Sequence, residues 1–119
     1  MKILVATDRT ETAQEAVAFA EEMARRYEAE LIVLQVLVPD EGRKGDPDAI
    51  HGGSGRTKVV VHADPAKAIV EAAKEEAVDV VVVGNVGMEK RTRFLTGNVP
   101  NAVSHAAPCT VVLVNTSGR

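Results

Sequence analysis

Three glycines, Gly84, Gly87 and Gly97, frame the stretch of this 119-residue sequence with the most chemical potential. Gly84-Asn85-Val86-Gly87 follows the aliphatic run ending at Val83; nine residues, Met88 to Thr96, intervene before Gly97-Asn98, where a helical apolar period begins at Val99. Glycines let backbone N–H groups approach an anion with no Cβ in the way, and a helix N-terminus beyond the last glycine adds unpaired donors and the positive end of a dipole. The chemistry would be the cradling of phosphates, with Lys90, Arg91 and Arg93 in the loop as further positive charge or as solvated side chains. A plain strand-to-helix loop whose glycines serve only turns fits the same spacing, and both readings stand. A Walker loop is excluded by the lack of Gly-Lys-Ser/Thr, and the dinucleotide fingerprint would follow the first strand instead.

Asp8 comes just after the first aliphatic run, at the carboxyl edge of the expected sheet. A carboxylate there can bond a ribose hydroxyl or hold a cation, or it can serve as a turn or capping residue. His51, His62 and His105 share no metal-ligand spacing with one another or with Cys109, so no metal site is expected. Ser54, Ser104 and Ser117 lie in no Gly-x-Ser-x-Gly context, which removes hydrolytic triad chemistry. Cys109 follows Pro108 at the start of the last apolar run, the setting of a small buried thiol. No residue is placed as a general base for attack on a phosphate, so no catalytic residue is assigned and efficient catalysis is not expected.

The elements that must position these residues read as strands and helices in alternation. Ile3 to Ala6, Leu31 to Val38, Lys58 to His62, Val78 to Val83 and Thr110 to Val114 are five short β-branched runs. Their continuous apolar character suits strands buried on both faces, as in parallel sheets. Thr12 to Glu15 fits a capping box, and Ala13, Ala16, Val17, Ala20, Met23, Ala24 and Tyr27 follow at helical spacing. Asp64-Pro65 offers an N-cap with proline at the first helical position, and Ile69, Ala72, Ala73 and Ala77 make one stripe. Val99, Ala102, Val103 and Ala106 make a third helix before Pro108, with Pro100 tolerated in its first turn. The class is α/β, an open sheet built from right-handed βαβ units.

Pro39 to Thr57 breaks this order, holding five of the nine glycines and no apolar period. It reads as a loop, and His51-Gly52-Gly53-Ser54-Gly55 has the composition of an engineered linker; native loop and designed replacement both fit.

At 119 residues, one domain spanning 1–119 is expected. Aromatics are 3%, which disfavours base-stacking platforms, and a net charge of −3 gives no long-range pull toward nucleic acid or anionic membrane. One cysteine fits a reducing compartment, and no apolar run approaches a membrane span or a signal peptide, so a cytoplasmic protein is expected.

Nearly the whole chain apart from Pro39 to Thr57 resembles the universal stress protein family. Ile3-Leu4-Val5-Ala6-Thr7-Asp8 with Ala16 and Ala20 is similar to its first strand and helix, and Asp64-Pro65 with Ile69 and Ala73 to its glycine-proline helix start, Asp64 replacing the glycine. Asp79 to Gly87, nine residues, then Gly97-Asn98 resembles its ATP-binding pattern, and Ala107 to Val114 its last helix-strand junction. The resemblance implies an open five-stranded parallel sheet of order 3-2-1-4-5, of the adenine-nucleotide alpha-hydrolase-like kind, with helices on both faces. It implies binding of ATP, AMP or another adenine nucleotide, with magnesium as a candidate companion, and a homodimer through Thr110 to Val114. In such a site Asp8 would bond ribose or assist a cation, and backbone near Thr7 and Val36 would hold adenine. Gly84, Gly87, Gly97 and Asn98 would cradle ribose and phosphates, with Val83 and Val99 lining the pocket.

Two departures from the pattern matter. Asn98 replaces a Ser or Thr, leaving an amide donor but no hydroxyl for a metal. The family's helix between strands two and three is missing from the sequence pattern, which should expose aliphatic surface there. The function expected is a nucleotide-binding sensor or regulator with at most slow ATP hydrolysis. The other readings are a dimeric interaction module that binds no nucleotide and an engineered, minimised scaffold of the same fold.

Overall fold

The five β-branched runs form a single parallel sheet in a computed structural model that describes residues 1–7, 11–37, 55–84 and 98–115. The elements run β1 (Lys2–Thr7), α1 (Glu11–Tyr27), β2 (Glu30–Leu37), β3 (Arg56–Val61), α2 (Pro65–Glu76), β4 (Val80–Gly84), α3 (Asn98–Ala106) and β5 (Thr110–Val114). The strand order is β3-β2-β1-β4-β5, as the family resemblance implies. The segment between β2 and β3, where a helix was expected to be missing, lies outside the described residues.

Alternation of side chains sorts the strands into two apolar layers. Ile3, Val5, Leu31, Val33, Val80 and Val82 pack under Ala16, Val17, Ala20 and Ala24 of α1. Leu4, Ala6, Ile32, Leu34, Val81 and Val83 pack against Ile69, Ala72 and Ala73 of α2 and Val99 and Val103 of α3. The small alanines let each helix lie close to a sheet of branched side chains, which is how a core with so few aromatics fills its space. Exposed aliphatic surface is found at Val59 and Val61 of β3, 36% and 63% exposed, whereas Leu31 and Val33 of β2 are buried.

Among the element ends that differ from the sequence reading, three are informative. α1 begins at Glu11, so Thr12 and Glu15 both lie inside the helix; apolar periodicity locates a helix without fixing its first residue. β3 begins at Arg56, where Arg56 and Thr57 pair with Ile32 and Val33, so these two residues are strand and not loop. Gly55 leads into that strand at a φ of +101°, and a Cβ there would meet the Leu31 carbonyl at 3.0 Å. β4 begins at Val80: the Val78 N–H donates to the Ala73 carbonyl at 3.2 Å and so closes α2, whose C-cap Ala77 is left-handed.

α2 starts as its sequence dictates. The Asp64 carboxylate accepts from the Lys67 N–H at 3.2 Å with Pro65 at the first helical position. Its other end is tied to the sheet by charge: Arg56 bonds Glu76 at 2.9 Å and lies 3.4 Å from Glu30, while Lys58 reaches Glu75 at 3.2 Å and Glu76 at 3.1 Å.

Candidate functional site

Along the carboxyl edge of the sheet the described parts of the strands reach different heights. β1 pairs with β2 as far as Thr7 opposite Gln35, and β2 runs on through Val36 and Leu37, which pair with Val60 and Val61 of β3. Among the described residues the β1–β4 pairing runs from Ile3 opposite Val80 to Val5 opposite Val82, while β4 continues through Val83 and Gly84 beside Leu113 and Val114 of β5. The described end of β1 thus lies between β2 and β4. Strand order also reverses here, the place where open α/β sheets take their ligands.

Backbone alternation decides which groups face this position. The Leu37 carbonyl accepts from the His62 N–H at 2.9 Å on the β3 side, and the Glu30 N–H donates to the Met1 carbonyl at 2.9 Å on the β1 side. Successive peptide groups point to opposite neighbours, so those of Val36 face β1, its carbonyl lying beyond Thr7. The Asp79 N–H donates to the Lys2 carbonyl at 2.8 Å, and the same alternation turns the Val83 carbonyl toward β1 from the other side. Their side chains meanwhile share one apolar cluster with Val99 at the start of α3.

The structure therefore brings together Thr7, Val36, Val83, Gly84 and Val99, with Asn98 opening α3. Asp8, Gly87 and Gly97 lie outside the described residues. Thr7 is 2% exposed and Gly84 is buried. Among the described residues no group of histidine, cysteine and carboxylate side chains is arranged to hold a metal. Cys109 is half-buried, and burial, then the Asp79 carboxylate, push its thiol up, which disfavours the thiolate.

Two polar residues escaped the sequence reading. Gln35 sits inside an aliphatic run and is 4% exposed, and its only sequence signal is a carboxamide where every neighbour is apolar. Asp79 clamps the opposite edge of the sheet: its carboxylate accepts from the Lys2 N–H at 2.8 Å.

Comparison with known proteins agrees with this architecture. The model of the Universal stress protein family matches residues 1–50 and 43–115. The chain belongs to the universal stress protein family. A universal stress protein of Thermus aquaticus is 27% identical over 132 residues, covering 94% of this chain and 96% of that protein. One from Methanothermobacter thermautotrophicus is 47% identical over 58 residues, a match covering 49% of this chain and 39% of the relative's length. Among solved structures, a universal stress protein in complex with cAMP superposes with a TM-score of 0.75 at 24% identity, covering 98% of both chains. The universal stress protein from Archaeoglobus fulgidus in complex with dAMP gives a TM-score of 0.68 at 28% identity, covering 95% of this chain and 96% of that one. No described helix is long and apolar enough to cross a membrane.

Proposed function

We propose that this chain binds an adenine nucleotide over the end of β1 and acts as a sensor or regulatory protein of the universal stress type, working as one domain and one half of a homodimer. The observation that carries the reading is the pair of peptide groups at Val36 and Val83, turned toward the end of β1 from opposite sides at the switch point of the sheet. The Val36 carbonyl is suited to accept from the amino group of adenine, with Thr7 beside it and the Val83 and Val99 side chains supplying apolar surface. Asp8 would take a ribose hydroxyl, and Gly84, Gly87, Gly97 and the N-terminal turn of α3 at Asn98 would hold ribose and phosphates through backbone donors. Relatives of the same fold with cAMP and dAMP bound support the base and sugar chemistry. Magnesium is given no role of its own, because Asp8 is the one carboxylate in this set and Asn98 has no hydroxyl.

The dimer reading rests on β5, an edge strand whose Leu113 is 49% exposed. An unpaired strand edge is a template for a second strand.

Calorimetric titration with ATP, ADP, AMP and cyclic AMP tests the proposal. Saturable binding of at least one of them is expected, and silence toward all four would leave the interaction-module reading in its place.

A further inference from the structure

Within the described residues, Thr7 and Gln35 are the two buried polar residues of an otherwise aliphatic core, and they are direct partners across the β1–β2 ladder. By alternation with Val5 and Val33 both side chains lie on the α1 face of the sheet, one residue before Val36. Thr7 has an interaction partner, whereas the Gln35 carboxamide has none among the described residues. An unpaired buried amide costs stability, and an apolar side chain of the same length would avoid that cost. A group kept at such a cost, at the described carboxyl end of the sheet and next to the Val36 peptide group, leaves a donor and an acceptor for a bound partner.

We propose that Gln35 is a base-contacting residue, its carboxamide oxygen accepting from the 6-amino group of adenine and its N–H donating to the adjacent ring nitrogen. This rests on the nucleotide reading above and adds a side-chain contact to the backbone groups of Thr7 and Val36. A carboxamide carries the donor and acceptor that this edge of adenine requires.

The test compares wild type with Gln35→Leu and Gln35→Met, titrating each with AMP and with purine riboside 5′-monophosphate, which lacks the 6-amino group, and recording the melting temperature without ligand. Removing the amide should weaken AMP binding about tenfold, shrink the preference for AMP over the purine analogue, and leave the ligand-free protein at least as stable. Unchanged AMP affinity in both variants, or an equal loss for both ligands, would overturn the assignment while leaving the nucleotide reading intact. A wild type that binds neither ligand, and none of ATP, ADP and cyclic AMP, would instead overturn the nucleotide reading and this assignment with it.

Discussion

Lys2 and Asp79 hold each other at both ends of one contact: the Asp79 carboxylate accepts from the Lys2 N–H, and the Asp79 N–H donates to the Lys2 carbonyl, each at 2.8 Å. β1 and β4 are thereby fastened at the amino edge of the sheet, while at the carboxyl edge both strands continue past the described pairing. At the carboxyl edge the Val36 and Val83 peptide groups face β1, which is where the proposed ligand would sit.

Asp79→Ala should cost about 1 kcal/mol of stability, the net value of one such hydrogen bond. Asp79→Asn should recover much of it, because the amide oxygen still accepts. Urea denaturation of the three proteins measures this, and nucleotide affinity should be unaffected, since the clamp lies at the edge away from the site.

The Asp64 cap should be worth about 1 kcal/mol. Asp64→Ala leaves the Lys67 N–H without its side-chain acceptor, and Asp64→Ser should restore most of the loss. Equal stability of all three in thermal melts would show that solvent serves this helix end equally well.

Acid should loosen the joint between β3 and the end of α2. Hydrogen bonds from Arg56, then Lys58, hold the Glu76 carboxyl below its ordinary range. A carboxylate depressed in the folded state contributes stability above its unfolded pKa and loses it as pH falls through the folded value. Stability should therefore decline below about pH 4.3, the ordinary glutamate value, and Glu76→Gln should flatten that decline. Denaturant midpoints at stepped pH read the slope.

Charge on the β5 edge should oppose dimer formation. Leu113→Lys places an ammonium on an exposed edge position and is expected to shift the protein from dimer to monomer in light scattering, with circular dichroism unchanged.

The sequence made the fold legible because its signals were local and repeated. Five β-branched runs became five strands, and Asp64-Pro65 became a capped helix start. Strand ends were less legible: Val78 is β-branched like its neighbours, yet its N–H serves the end of α2. The glycines marked the segment after β4, but the peptide groups of Val36 and Val83 face β1 only through the register of three strands, which no single segment encodes. Gln35 was hidden for the same reason. Its place opposite Thr7 is a property of register, and in the sequence it is one polar letter in an aliphatic run. Arg56 and Glu76, twenty residues apart, meet only once β3 and α2 have packed.

The most direct test of the central claim is to heat-denature purified protein and identify any released small molecule by mass spectrometry, alongside nucleotide titration of wild type and Gly84→Val. The account predicts either a released adenine nucleotide or saturable binding of an added one, abolished in Gly84→Val by the added branched side chain while the fold persists. A protein that releases nothing and responds to no adenine nucleotide, or a Gly84→Val variant that binds like its parent, would contradict it.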